Sequence, residues 1–82
     1  MKMHELKIWP EFFEPVLNGK KTFEIRIDDR GFKIGDDLLL REYQSQTYTG
    51  REIKKTITYI HPLIGYGLTA KYVCLALGEI KS

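Results

Sequence analysis

Apolar residues recur at every second position in the opening stretch HELKIW, where Leu6 and Ile8 share one parity and Glu5, Lys7 and Trp9 the other. That pattern predicts a strand packed on one face. Pro10 suits the first turn of a helix, and PEFFEPVLNG spaces Phe12, Val16 and Leu17 to bury one stripe before Asn18 and Gly19 stop it. Pro15 removes an amide donor about a turn into that helix, so a kink, or a short first turn and a restart, is expected. Alternation resumes in KTFEIRI, which places Phe23, Ile25 and Ile27 on the face expected to pack and Thr22, Glu24 and Arg26 on the other.

After the loop signal DDRG, a Gly-Asp turn at Gly35 and Asp36 leads into a strand over Leu38 to Tyr43, whose apolar triplet predicts burial on both sides for part of its length. QSQTYTGR reads as a polar loop, EIKKTITYI (Glu52 to Ile60) as a strand, HPLIGYG as an irregular connection and KYVCLALGEI as the last strand. Connections this short exclude most βαβ crossovers. The fold expected is mainly β: a small, mostly antiparallel barrel of about five strands, closed or nearly closed, with one short helix after the first strand covering an end.

Composition narrows this little. The 82 residues predict one domain over residues 1–82, with 43% hydrophobic and 29% charged residues in the ordinary globular range. A net charge of +2 neither supports nor excludes a nucleic acid. Cys74 is the single cysteine, so no internal disulfide forms, and a reducing cytoplasm is the simplest location. No apolar run reaches the roughly 20 residues of a membrane span, and neither membrane, metal nor cofactor is expected as a partner.

The stretch GKKTFEIR carries the candidate chemistry. Glu24 and Arg26, two apart on a strand, share a face, and the plain reading is an exposed ion pair. If the first strand lies beside this one, Lys7 and Trp9 join them, and a cation, an aromatic plane and an Arg-Glu pair converge. Trp9 can stack on a nucleobase, Arg26 can grip a phosphate or carbonyl in a fork, and Glu24 can accept from amino groups. Lys21 has the awkward parity: splayed outward it is a solvated cation near a helix end, and buried it becomes a candidate base. His4 and His61 read as surface or packing residues, and Arg51, Lys54 and Lys55 as a solvated strand edge that discourages aggregation. Leu63, Ile64 and Tyr66 form either a cap on the barrel or an exposed patch for a protein partner.

Through Gly19, Lys21, Glu24 and Arg26, GKKTFEIR resembles the G-x-K-x-x-E-x-R signature of ASCH (activating signal cointegrator homology) domains, small β-barrels of the PUA-like superfamily. The preceding LKIWPEFFEPVLNG and the following FKIGDDLLLRE are similar to the segments that flank that signature. The resemblance implies a cleft near the helix that binds RNA or a nucleotide-like molecule, lined by the signature residues. Some ASCH proteins are amidohydrolases that deacetylate modified cytidine. Their catalytic threonine falls at Glu24 here, so this resemblance leaves catalysis, with Lys21 and Glu24 as its candidate residues, as the alternative to binding.

Overall fold

The computed structural model describes residues 2–80. Five strands and one helix follow in the order β1 (Met3–Ile8), α1 (Pro10–Leu17), β2 (Phe23–Ile27), β3 (Asp37–Gln44), β4 (Thr47–Pro62) and β5 (Tyr72–Gly78). The strands form one curled half-barrel sheet in the spatial order β1-β3-β4-β5-β2. Three of the four ladders are antiparallel, and β1 runs parallel to β3. Among the described residues no helix is long and apolar enough to cross a membrane.

The inner face holds one core. Leu6 and Ile8 of β1 meet Leu38 and Leu40 of β3, Ile57 of β4, Val73 and Leu75 of β5, Phe32 of the β2–β3 connection, and Phe13 and Val16 of α1. Burying a side chain the size of Phe13 stabilises the fold by about 1.5–3 kcal/mol. The helical stripe is therefore Phe13 and Val16, while Phe12 and Leu17, expected to pack, are about half exposed. Two adjacent phenylalanines leave the phase of an eight-residue helix undetermined by spacing alone. The helix runs unbroken through Pro15. In so short an element the missing amide costs a single bond, and the ladder resumes with Asn18 N–H donating to the Glu14 carbonyl at 3.0 Å.

The largest departure from the sequence pattern lies in β2. Its alternation is real but inverted: Phe23, Ile25 and Ile27 are 40%, 50% and 45% exposed, while Glu24 is buried and pairs across the ladder with Leu75. The charged parity faces inward because β2 is a margin of the sheet that no strand closes over, so its inner face meets a cleft. β1 is the other margin, and the two do not pair.

The strand β4 also differs from expectation. Most of the stretch read as a polar loop is strand, joined to β3 by a two-residue hairpin in which Ser45 and Gln46 take positive φ values of 53° and 64°. A mirror-image turn of this kind matches the strand twist, but without Asn-Gly it leaves no sequence signature. The ladder from β4 to β5 begins only at Thr56, so Arg51, Lys54 and Lys55 lie on a stretch of β4 paired with β3 alone; Arg51 and Lys54 are exposed there, and Lys55 is not. Lys55 is buried on the inner face and paired with Glu79. Arg51 is turned onto Glu42 by an irregularity in which Gly50 takes φ +96°.

Two polar clusters pin the scaffold. Glu42, buried, accepts from Arg51 Nε (3.0 Å) and Nη2 (2.9 Å) and from the Thr49 hydroxyl (2.6 Å), and Arg51 Nη2 also reaches Glu14 of α1 at 2.6 Å. The Arg51 guanidinium beside it, then the Thr49 hydroxyl, holds the Glu42 carboxyl down at about 2, and Arg51 itself is pushed above its ordinary value. At the other end His4 is buried rather than at the surface, its Nε2 donating to Asp36 Oδ2 at 2.8 Å. Asp36 also accepts from the amides of Lys2 and Lys33. The His4 hydrogen bond foremost, with those amides, lowers its pKa.

Candidate functional site

A cleft of about 660 Å³ separates the two sheet margins. Along it lie Leu6 to Trp9 from β1 and its end, Phe12 from α1, Lys21, all of β2, and Asp29, Arg30 and Phe32 from the loop beyond. Its size falls in the range of small-molecule sites. All five residues singled out from the sequence, Lys7, Trp9, Lys21, Glu24 and Arg26, border it. They meet across an open margin, however, and not across the strand pair supposed from the sequence.

Local backbone geometry sets each group in place. Trp9 is the N-cap of α1, with φ −69° and ψ 151°, and its carbonyl accepts from the amides of Phe12 and Phe13. This junction leaves the indole 54% exposed at the cleft mouth. At the other end of α1, Gly19 takes φ +83°, the left-handed conformation that reverses the chain and lets Lys21 N–H donate to the Pro15 carbonyl at 2.9 Å. The glycine and the lysine of the G-x-K motif are thus one device: the turn delivers the lysine to the cleft.

Lys21 Nζ lies 2.5 Å from Glu24 Oε1, with its ammonium 5.6 Å from the Phe12 ring centre and 5.1 Å from that of Phe23. It is neither a solvated lysine nor an unpaired buried base. Arg26 Nε donates to Glu24 Oε2 at 3.0 Å, so both oxygens of the buried carboxylate hold a cation. The Lys21 and Arg26 side chains keep 19% and 26% of their exposure, which leaves part of each facing the cleft. Two cations against one buried carboxylate give the wall a net positive charge.

The guanidinium of Arg26 continues across the gap, and Nη2 donates to the Lys7 carbonyl at 2.6 Å. Arg30 repeats the contact two residues away, Nη1 to the Glu5 carbonyl at 3.1 Å. These carbonyls sit where a further strand would donate to the margin of β1, and the two arginines occupy them instead. Arg30 sits in a loop closed by Asp28, whose Oδ1 accepts from the amides of Gly31 and Phe32. Sequence reading missed Arg30, whose only signal was its place in DDRG, a segment that reads as a bare loop.

Lys7 takes a different part from the one expected. Its carbonyl faces the cleft through Arg26, but its ammonium sits 4.5 Å from the ring centre of Tyr43 on the outer face of the sheet. In the HPLIGYG segment Ile64 and Tyr66 do not cap the sheet, being 82% and 63% exposed, while Leu63 is half-buried.

Comparison with known proteins adds a family without an activity. The model of a family described as a domain of unknown function (DUF3850) matches residues 3–77. A protein of Escherichia phage P2, described as an uncharacterized 12.9 kDa protein in the GpA 3′ region, is 40% identical over 81 residues, which cover 96% of this chain and 72% of the phage protein.

Proposed function

We propose a function for a chain that belongs to the family of the domain of unknown function DUF3850: the cleft between β1 and β2 binds a nucleotide-like ligand, free or as part of RNA. The observation that carries the proposal is the inward-facing charge of β2, a buried carboxylate that presents Lys21 and Arg26 to the cleft. Unlike the Glu42–Arg51 cluster, this triad lies along a cleft with both cations part-exposed to it, where a role in binding adds to any role in the fold. The resemblance of GKKTFEIR to the ASCH signature supports the same reading. Lys21, Arg26 and Arg30 contact phosphate or base carbonyls, Trp9 stacks at the mouth, and Glu24 orients the two cations.

The test is a titration of a labelled structured RNA and of nucleoside 5′-monophosphates at two salt concentrations, comparing wild type with Lys21→Ala/Arg26→Ala. Binding is expected to be salt-sensitive and weaker in the variant, with the salt slope smaller by about 0.7 for every single-strand phosphate that the variant leaves unneutralised. Equal affinity and slope in a folded variant remove the proposal.

One observation favours a second reading, an amidohydrolase acting on a modified nucleoside such as acetylated cytidine: Lys21 Nζ stands within proton-transfer distance of Glu24 Oε1. In that reaction water adds to the acetyl carbonyl, the C–N bond breaks, and the amine leaves with a proton relayed through the pair. Acetylcytidine incubated with wild type and with Lys21→Ala decides it, and absence of turnover by the wild type removes the reading.

A further inference from the structure

We infer that the nucleotide in the cleft belongs to a longer single-stranded nucleic acid, whose neighbouring bases lie on a track of aromatic and cationic side chains across the outer face of β1, β3 and β4. The inference rests on the reading of the cleft as a nucleotide site and extends it beyond the cleft.

Trp9 borders the cleft and also a second hollow of about 290 Å³, shared with Lys7, Ile8 and Tyr43 on the other side of β1. From Trp9 the rings continue outward. Tyr43 lies 6.2 Å from the indole, centre to centre, and Tyr48, its cross-strand partner, 5.2 Å further on. Cations interleave with them: Lys7 Nζ is 4.5 Å from the Tyr43 ring centre, and Arg41 Cζ is 3.8 Å from that of Tyr48. Lys7 and Arg41 are themselves cross-strand partners, so rings and cations share one face.

Arg41 has carboxylates nearby, Glu5 at 3.7 Å and Glu52 at 3.6 Å, but neither is within hydrogen-bonding distance. These are loose ion pairs that a phosphate competes with, and with Tyr48 covering one side of the guanidinium, its other side is left as a stacking surface. Alternating rings and cations on a sheet, continuous with the cleft through Trp9, match a strand of unpaired bases and charged phosphates. A duplex keeps its bases stacked inside and offers such rings nothing to cover.

The test uses the full chain with a fluorescein-labelled mixed-sequence RNA octamer and the four nucleoside 5′-monophosphates. The track variants are Tyr48→Ala and Arg41→Gln, both at exposed or half-exposed positions, and the cleft variant is Lys21→Ala/Arg26→Ala, each with a circular-dichroism melt to establish folding. The octamer is expected to bind at least tenfold more tightly than any monophosphate. Tyr48→Ala is expected to weaken the octamer roughly 5- to 150-fold, the range of one base–aromatic stack, with monophosphate binding unchanged. Octamer binding no tighter than monophosphate binding, or untouched by the folded track variants, overturns the inference and leaves the cleft reading standing. Octamer binding that disappears in the track variants but is indifferent to the cleft variant removes the cleft reading and overturns the inference, since the strand then does not run into the cleft. A Tyr48→Ala effect seen only in self-association by sedimentation makes the face a protein contact and overturns the inference.

Discussion

Replacing Glu24 by Gln removes one charge and little volume, yet it leaves two cations facing each other across a neutral amide. The side chain of Glu24 is 5% exposed, and its oxygens stand 2.5 Å from Lys21 Nζ and 3.0 Å from Arg26 Nε. Breaking a fully buried pair costs about 3–5 kcal/mol. Lys21 and Arg26 are 19% and 26% exposed and regain some hydration, so a loss of about 2–3 kcal/mol is the better figure here. For a domain of this size that corresponds to a fall in Tm of roughly 10–20 °C. Urea and thermal unfolding measure it, with Glu5→Gln as a control, because the Glu5 side chain is 61% exposed and its loss is expected to cost under about 0.5 kcal/mol. The triple variant Lys21→Met/Glu24→Leu/Arg26→Met is expected to recover most of the stability while losing ligand binding, because it removes buried charge instead of unpairing it. If Glu24→Gln melts within about 2 °C of wild type, the carboxylate does not anchor the two cations and the reasoning fails.

Three further outcomes follow from the same structure. Gly19→Ala meets no steric obstacle, since a β-carbon there has nothing within 4 Å, but it is strained at φ +83°; a loss of about 1 kcal/mol in urea unfolding is expected. Glu42 has its folded pKa depressed from 4.5 to about 2, so its contribution to stability is complete above about pH 4.5 and is lost as the pH falls towards 2; Asp36, lowered by His4, carries the same sign. Glu42→Gln should flatten the stability profile between those pH values, and an unchanged acid limb contradicts the assignment. Ile64→Asp, at an 82% exposed position, should leave the melting temperature within about 2 °C, whereas unfolding makes that loop part of the core.

Local pattern carried much of the fold. The parity of Leu6 and Ile8, the Gly35-Asp36 turn into β3 and the glycine stop of α1 each rest on a few neighbouring residues, and each is found in the structure. What escaped depended on distant partners. Alternation in β2 defines two faces but does not say which one is inside, and only the open margin opposite β1 makes the charged face the inner one. The parallel pairing of β1 with β3 and the hairpin at Ser45 and Gln46 likewise left no local mark. The site was legible as a set of residues, since GKKTFEIR supplies Lys21, Glu24 and Arg26, and all five candidates border one cleft. Its geometry was not, because Arg30 and the outward turn of the Lys7 ammonium depend on how the two margins face each other.

The most direct test of the central claim is a nuclear magnetic resonance titration of the ¹⁵N-labelled chain with nucleoside 5′-monophosphates, following backbone amides and the Trp9 indole. Saturable shifts concentrated at Lys7, Trp9, Lys21 to Arg26 and Arg30, and absent from Leu63 to Leu68, are the predicted result. A spectrum unmoved by all four monophosphates, or shifts centred on the Leu63 to Leu68 connection, would contradict it.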